Sequence, residues 1–279
     1  MKVVHLQAAA GPEPAFAAAL RLGGHEVEAC APDSEELPAG DAYILEGVAA
    51  DAVSPRIARA IELRVEAGAG LVALGGLGAY GHGGYANTSL GRLLPVEIED
   101  GDDRECVPSG LFLRRRMMHP LFDGMPWDQP PVVTGCHRLK PRPGSEILLE
   151  GARILSMSAS NAALAAKTTP LLIVGDRGLG RVAALATDLG GTWSNGWAHW
   201  GAPSIPAHHC DSLGTAYCHF VTRLASFLGR AADAAPLDPW SAARQQPDRR
   251  RLDRAFPSMP GRVSAATPTF PALVMGVRR

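Results

Sequence analysis

The chain has 279 residues, of which 46% are hydrophobic, and this is enough apolar side chain for a substantial buried core. Lysine and arginine number 27 against 28 aspartate and glutamate, so no overall field attracts a nucleic acid or an anionic membrane. The sequence lacks a signal-peptide pattern and any uninterrupted apolar run of about 18 residues. We therefore expect a cytoplasmic protein whose partners include neither nucleic acid nor membrane.

The five cysteines stand at positions 30, 106, 136, 210 and 218, and none of them form a Cys-x-x-Cys pair. An odd number without that spacing argues against a disulfide framework and against a zinc ribbon. We expect most of them to be reduced thiols, and the sequence indicates no cofactor.

The N-terminal part of the chain alternates between strands and helices. The runs KVVHL, HEVEAC, DAYILEG and LVALGG are typical of strands. The runs PAFAAALRLGG and SPRIARAIELRVEAGAG are typical of helices, the second with Ser54 as its N-cap. Alternating β and α elements with apolar strands predict a mostly parallel sheet covered by helices.

The middle of the chain, about residues 93–155, is rich in proline and glycine and has short β-like runs, which predicts an antiparallel extension. After it, TPLLIVGDRGLGRVAALATD joins two apolar runs by a Gly/Asp turn and predicts a β-hairpin from about Leu171 to Thr187. Its Gly-x-x-Gly-x-Gly spacing falls between two strands, so it indicates a hairpin turn rather than a phosphate loop.

The run SLGTAYCHFVTRLASFLGR has apolar positions at helical spacing, with Ser212 or Asp211 as cap and Gly229 as stop. Beyond it the composition shifts to proline and arginine without a convincing period. We expect a folded domain over residues 1–231 and a tail over 232–279 that is disordered or packs on the domain or on a neighbouring subunit.

A series of segments in consistent order carries a family resemblance. They are GLVALGGLGAYGHGGYANTSLGRLLPVEI, HPLFDGMPW, TGCHRLKPRPGSEILLE and TTPLLIVGDRGLGRVAALATD with a later Trp. Together they resemble the putative glutamine amidotransferase-like family, within the class I glutamine amidotransferase-like superfamily. The resemblance covers most of residues 1–230 and implies a flavodoxin-like three-layer sandwich, with a site at the carboxyl ends of the parallel strands.

Active members of that superfamily place a cysteine on a strand-to-helix elbow, pair it with a histidine and an acid, and use backbone N–H groups as an oxyanion hole. Aligning LVALGGLGAYG on the elbow puts Leu77 at the nucleophile position, and a shift by one residue offers Gly76 or Gly78. The partner histidine is expected after a later strand, where Asp188 is the nearest polar residue. Cysteine-dependent glutamine hydrolysis at this elbow is therefore not expected.

The predicted strand ends still collect groups that suit acid–base chemistry. Glu46 and Asp188 each follow an apolar strand and are candidate bases, while His82 is the imidazole of the elbow loop and a candidate acid. Each has a structural alternative: a solvated strand end for Glu46, a turn for Asp188 and an exposed loop histidine for His82. The candidate ligand contacts are Gly47, Gly75, Gly76, Leu77, Tyr80 and Trp193. The glycines serve either turns with positive φ or close approach of a ligand.

Two other groups of residues are weaker candidates for a functional site. Cys136 and His137 form a tempting nucleophile–base pair, but adjacent side chains on a strand point to opposite faces. The segment from His208 to Asp211 contains metal-competent groups, which with His199 and Asp188 could hold Zn²⁺. Its spacing matches no standard ligand pattern, so we expect surface histidines and a helix cap, and no metal.

The leading prediction is a glutamine amidotransferase-like protein without the elbow cysteine, which binds a small polar metabolite at the strand ends or transforms it by acid–base hydrolysis or isomerisation. The first alternative is a non-catalytic binding or assembly module whose tail packs on a neighbouring subunit. The second is a glutaminase that uses a thiol outside the elbow, such as Cys136. The expected partners are a small-molecule ligand and further copies of the chain in a homo-oligomer.

Overall fold

The structure is a computed structural model that describes residues 1–7, 13–158, 162–194, 196–207 and 212–230. The strands, in chain order, are β1 (Lys2–Gln7), β2 (Glu26–Cys30), β3 (Ala42–Glu46), β4 (Gly70–Leu74), β5 (Val96–Glu97), β6 (Arg104–Arg115), β7 (Val132–His137), β8 (Lys140–Pro141), β9 (Glu146–Met157), β10 (Ala162–Arg177), β11 (Gly180–Leu185), β12 (Ser204–Pro206) and β13 (Ser212–Gly214). The α-helices are α1 (Ala15–Leu22), α2 (Pro55–Glu66), α3 (Ser89–Leu93) and α4 (Thr215–Leu228). Short 3₁₀ turns cover Pro120–Phe122 and Trp197–His199.

One nine-stranded sheet organises the described residues, in the order β2-β1-β3-β4-β11-β10-β9-β6-β7. The strands β2, β1, β3, β4 and β11 run parallel to one another. This half of the sheet contains the strands predicted from KVVHL, HEVEAC, DAYILEG and LVALGG, so those predictions are confirmed.

The other half of the sheet is antiparallel and includes β10, β9, β6 and β7. The prediction of a mostly parallel sheet is therefore wrong, because the sheet is mixed. The antiparallel extension predicted for the middle of the chain is confirmed, because β9, β6 and β7 continue the same sheet. The strands β6 and β9 have 12 residues each, and β10, with 16, lies between β9 and β11.

The predicted hairpin is confirmed by the antiparallel pairing of β10 with β11, whose register runs from Leu172 opposite Leu185 to Arg177 opposite Gly180. Gly178 turns the chain at a φ of +58°, a left-handed conformation that glycine adopts without steric cost. Because β11 also pairs with β4 in parallel, the hairpin joins the two halves of the sheet.

The helices pack in two groups, α1 against α4 and α2 against α3. The prediction for α2 is confirmed at its start, where the Ser54 hydroxyl accepts the Ile57 N–H at 3.2 Å. The cap predicted for α4 is wrong at Ser212, because residues 212–214 form a strand with β12 and the helix begins after Gly214. Asp211 lies outside the described residues, and Gly229 ends α4 as predicted.

The described part of the chain has no helix that is both long and apolar enough to cross a membrane. The predicted tail, residues 232–279, lies outside the described residues, as does Ala231.

Contact between β4 and α4 leaves no room for a side chain at Gly70, since a Cβ there would lie 2.7 Å from the Leu228 backbone. We expect Gly70→Ala to lower the free energy of unfolding in urea by about 1–3 kcal/mol through overpacking. A matched control is Gly196→Ala, which meets no atom within 4 Å and has a φ of −70°. Equal stability of the two variants would contradict the close packing of α4 on the sheet.

Candidate functional site

A cavity of about 440 Å³ opens where parallel strands end, and we call it the strand-end crevice. Gln7 ends β1, Glu46 ends β3, Gly75 follows β4 and Asp188 lies just beyond β11. Because carboxyl ends of parallel strands meet at one edge, side chains distant in sequence converge there. The residues that line the crevice are Gln7, Pro14, Glu46, Gly47, Gly75, Gly76, Leu77, Asp188, Gly191, Thr192 and Trp193.

Most of the predicted site residues meet in this crevice. Those that line it are Glu46, Gly47, Gly75, Gly76, Leu77, Asp188 and Trp193. Tyr80 and His82 are not among the lining residues. The sequence analysis missed Gln7 and Thr192, which add polar side chains to the wall.

The chain after β4, residues 75–88, forms a run of turns that we call the β4 turn. No helix directly follows the strand, since α3 begins only at Ser89. Leu77 projects outward with 70% of its surface exposed. The residue before it, Gly76, has a positive φ of +132°. The turn therefore presents position 77 to the crevice, but without the helix N-terminus of a strand-to-helix elbow.

The glycines of the β4 turn are needed for backbone packing. A Cβ on Gly75 would lie 2.6 Å from the carbonyl oxygen of Ala186, and one on Gly78 would lie 2.6 Å from that of Gly47. The turn is thus wedged between the ends of β3 and β11. Within the described residues, the backbone N–H groups of Leu77 and Gly78 donate no hydrogen bond, and Leu77 also lines the crevice.

Glu46 is the carboxylate of the crevice that keeps room for a ligand. Its side chain is 28% exposed, and its Oε2 lies 3.0 Å from the Nε2 of His5 on β1. The His5 side chain is only 2% exposed and packs against the edge of Phe16. In the described part of the chain His5 Nε2 has no aligned hydrogen bond, although Glu46 lies within ion-pair distance of it.

Asp188, in contrast, is occupied by its own loop, residues 188–194, which we call the β11 loop. Its Oδ2 accepts the Trp193 N–H at 3.0 Å, and its Oδ1 accepts the hydroxyl of Ser194. The same hydroxyl oxygen accepts the Gly190 N–H at 2.7 Å. Asp188 is buried, and these contacts fit the turn-forming alternative better than they fit a free base.

Tyr80 and His82 belong to the β4 turn but do not line the crevice. Tyr80 is buried, and its hydroxyl lies 2.7 Å from the carbonyl oxygen of Ala73 and 2.9 Å from that of Leu185. Burial raises its pKa well above the ordinary value, so the hydroxyl stays protonated. His82 is exposed, and its Nδ1 lies 2.6 Å from the Leu77 carbonyl oxygen.

A buried pair that the sequence analysis did not assemble lies behind the crevice wall. His137 and Asp103 are 0% and 2% exposed, and Nδ1 of His137 lies 2.8 Å from Oδ1 of Asp103. The Asp103 carboxylate also accepts the N–H groups of Gly81 and His82, both at 3.1 Å. Nε2 of His137 lies 3.0 Å from the Gly76 carbonyl oxygen, so the pair reaches the β4 turn.

The ionisation of Asp103 follows from its partners. Burial opposes the charged form, but the hydrogen bonds from His137, Gly81 and His82 outweigh it and lower the pKa of Asp103. The ring of His137 also meets the rings of Tyr80 and Trp193 edge to face, with centroids 4.9 and 5.3 Å away. Since Trp193 lines the crevice, its ring separates His137 from the cavity on that side.

Cys136, which precedes this histidine, does not line the crevice. It is fully buried, and burial raises its pKa to about 12. A thiol with such a pKa is almost entirely protonated near neutral pH and is a weak nucleophile. Both the position and the protonation state of Cys136 therefore weigh against the pairing with His137 considered above.

The described residues contain no group of three or more His, Cys, Asp or Glu side chains arranged to hold a metal ion. The segment 208–211, weighed as a metal cluster, lies outside the described residues.

Comparison with known proteins finds a family and a fold. A family model described as putative glutamine amidotransferase matches residues 46–205. The cytoplasmic protein STM3548 from Salmonella typhimurium superposes with a TM-score of 0.64 at 19% identity, covering 82% of this chain and 99% of that protein. The cytoplasmic protein STM1381 from Salmonella typhimurium LT2 gives 0.61 at 18% identity, with coverage of 82% and 99%.

A putative thua-like protein from Parabacteroides merdae ATCC 43184 is also similar, with a TM-score of 0.51, 13% identity and coverage of 82% of this chain and 89% of that protein. At these identities the likeness to solved structures is one of fold alone. No curated protein matches the sequence of this chain.

The hydrogen bonds of Asp188 predict that it stabilises the β11 loop. Asn at this position keeps one acceptor and loses the charge, so we expect Asp188→Asn to lower the free energy of unfolding by about 1.5–3 kcal/mol in urea and to speed hydrogen exchange at the Trp193 amide. Asp51→Asn, at an exposed position, is the matched control and should leave both readouts unchanged. A stable Asp188→Asn protein with an unchanged Trp193 amide would refute the structural role.

Proposed function

The chain belongs to the putative glutamine amidotransferase family, and we propose that it binds a small polar metabolite in the strand-end crevice and transforms it by acid–base chemistry without a covalent nucleophile. The observation that carries the proposal is the crevice itself. It combines one accessible carboxylate, a turn with available backbone N–H groups and a leucine at the exposed position of that turn.

The flavodoxin-like three-layer arrangement is part of this proposal. The parallel half of the sheet has the order β2-β1-β3-β4-β11, which matches the 2-1-3-4-5 order of flavodoxin-like sheets. The connections β1 to β2 and β3 to β4 step in opposite directions, and right-handed crossovers then place α1 and α2 on opposite faces.

The nature of position 77 excludes covalent catalysis from that residue. Leu77 has no nucleophilic atom, although its side chain is exposed where the turn faces the crevice. The glutaminase alternative would need another thiol, and Cys136 is buried with a raised pKa of about 12. The lining of the crevice contains no cysteine.

Glu46 is the group we assign as general base. Its carboxylate is partly exposed, it faces the crevice, and it has no competing hydrogen bond of the kind that occupies Asp188. A carboxylate here can remove a proton from water or from a carbon beside a carbonyl group and later return that proton. His5 lies behind it, with its Nε2 3.0 Å from the carboxylate oxygen Oε2.

The backbone of the β4 turn supplies the complementary electrophilic contact. When a proton is removed beside a carbonyl, or water adds to it, the electron pair moves onto the carbonyl oxygen. The N–H group of Leu77, which donates to no group in the described part of the chain, can donate a hydrogen bond to that oxygen. Hydrolysis and isomerisation both need this pairing of a base with oxyanion donors.

The charges of the crevice limit the class of ligand. Among the described residues, its lining contains the carboxylates Glu46 and Asp188 and no lysine or arginine, so a strongly anionic ligand is disfavoured. Leu77, Pro14 and Trp193 add apolar surface. We infer a neutral or cationic small molecule with a carbonyl or amide oxygen for the turn and a hydroxyl or amino group for Glu46.

The second candidate function is binding without catalysis. The contacts of Asp188 favour it, because one of the two candidate bases is hydrogen-bonded within its own loop. In that case the protein serves as a binding or assembly module, with the tail on a neighbouring copy in a homo-oligomer. We further propose a cytoplasmic location, the location that the names of the two Salmonella proteins give for those proteins.

The proposal predicts the effect of neutralising Glu46. We expect turnover of at least one compound from a panel of small neutral amides, hydroxy ketones and amino-carbonyl compounds, followed by NMR. Glu46→Gln should lower kcat by about 10²–10⁴-fold, as for loss of a general base. Glu66→Gln on the exposed face of α2 is the control and should retain full activity.

The alternatives give different results in the same assay. Binding without turnover by the wild-type protein would support the non-catalytic module and refute acid–base catalysis. Release of ammonia from L-glutamine that is abolished by iodoacetamide would support the glutaminase, and an unchanged Cys136→Ala protein would rule out that residue as its nucleophile.

A further inference from the structure

The buried pair Asp103–His137 has no part in the chemistry assigned to Glu46, yet it contacts the β4 turn at the residue before Leu77. A charged pair with 0% and 2% exposure is costly to desolvate, and it stabilises a fold less than apolar packing of similar size. Such pairs concentrate where a site needs a defined polar arrangement. The pair contacts the Gly76–Leu77 peptide through the Gly76 carbonyl oxygen.

The contacts of the His137 ring fit two protonation states, each with its own partner at Gly76. Because Asp103 is acceptor-only when ionised, the 2.8 Å contact requires a proton on Nδ1. The Gly76 carbonyl oxygen is also an acceptor, so its 3.0 Å contact requires a proton on Nε2. Both contacts together correspond to the imidazolium form, whose charge the Asp103 carboxylate balances.

The neutral ring would bond a different group of the same residue. With Nδ1 still donating to Asp103, Nε2 becomes an acceptor, and the Gly76 N–H points at it from 3.3 Å. The carbonyl oxygen at 3.0 Å then faces a lone pair and is repelled. Protonation therefore decides whether His137 holds the Gly76 carbonyl or releases it.

The Gly76 carbonyl belongs to the same planar peptide unit as the Leu77 N–H. In a trans peptide the C=O and N–H bonds point in opposite directions. When His137 holds the carbonyl toward the buried pair, the Leu77 N–H must point away from it. Gly76, at a φ of +132°, is the residue in the turn best able to let this peptide rotate.

We propose that Asp103 and His137 are a positioning pair, which in its protonated form holds the Gly76–Leu77 peptide with the Leu77 N–H free to bind a ligand carbonyl oxygen. Ligand binding at that N–H is then linked to proton uptake by His137. The inference rests on the proposed function for the choice of ligand but not for the switch in the peptide itself.

Two titratable groups that face His137, Asp103 and Tyr80, keep a constant charge near neutral pH. Asp103 has a lowered pKa, and Tyr80, across the ring, has one raised well above its ordinary value, so neither changes charge near neutral pH. Trp193 and Gly76 carry no titratable side chain. The competent form carries one proton more than the neutral ring, so lower pH favours it and higher pH disfavours it.

The switch is tested first in the protein without ligand, by ¹H–¹⁵N spectra between about pH 5 and 9, the range in which histidine titrates. We expect the Gly76 and Leu77 amide resonances to move with the same midpoint as the His137 ring resonances. His137→Gln keeps a side-chain donor but does not titrate, so the Leu77 resonance should become independent of pH. A flat Leu77 resonance in the wild-type protein would overturn the inference.

Binding of L-glutamine, which offers an amide carbonyl oxygen and an amino group, is the second readout. We expect binding by the wild-type protein to weaken about tenfold from the low-pH to the high-pH plateau, roughly the loss of one hydrogen bond. His137→Gln should bind equally at both ends, and Asp103→Asn should move the wild-type midpoint to lower pH. Binding that is independent of pH in the wild-type protein would overturn the linkage.

The two proposals fail in different ways. Absence of binding by any small polar compound at any pH, with a Leu77 amide that still follows His137, would refute the proposed function and leave the peptide switch in place. Binding in the crevice with a Leu77 amide that ignores His137 would refute the switch alone.

Discussion

Backbone-to-backbone packing of the β4 turn between the ends of two strands is the constraint on which the candidate site depends. Gly75 packs on the main chain at Ala186, and Gly78 packs on the main chain at Gly47. Both contacts are so close that a Cβ on either glycine would clash with the backbone. These contacts pin the turn to the sheet edge. They present Gly76 and Leu77 to the crevice, so the geometry of the site is a consequence of how the sheet ends.

Two histidine–carboxylate pairs lie around this turn, and they differ in their access to solvent. His5 and Glu46 join β1 to β3, and Glu46 reaches the crevice. His137 and Asp103 are sealed behind the wall and act on the backbone of the turn. A partly exposed pair suits proton exchange with a ligand, whereas a sealed pair suits control of a peptide orientation. The antiparallel half of the sheet supplies His137, which gives that half a role at the site.

The features that the sequence predicted correctly depend on residues that are close together in the chain. The cap at Ser54, the β10–β11 hairpin and the parallel strands follow from residue periodicity, turn residues and capping, and the structure has them. The clustering of Glu46 with Leu77 at one edge follows from parallel strands having their carboxyl ends together. These features need no knowledge of distant contacts.

Features that depend on the pairing of segments far apart in the sequence could not be predicted from local patterns. Asp103 lies in an acidic run that looks solvated, and it meets His137 only because β6 pairs with β7 in one register. The short runs of the middle segment predicted an antiparallel extension, but not the order β10-β9-β6-β7 in which its strands pair. Asp188 accepts a hydrogen bond within its own loop because the loop conformation brings the Ser194 hydroxyl next to it. The composition of the loop does not predict that conformation.

The central claim is that the strand-end crevice is a small-molecule site with a base and backbone donors but no nucleophile. A crystal structure of the full chain grown with L-glutamine tests it most directly. The account predicts ligand density between Glu46 and Trp193, with the amide oxygen near the Leu77 N–H and no covalent bond to the protein. Density for residues of this chain or of a second copy filling the crevice would contradict it.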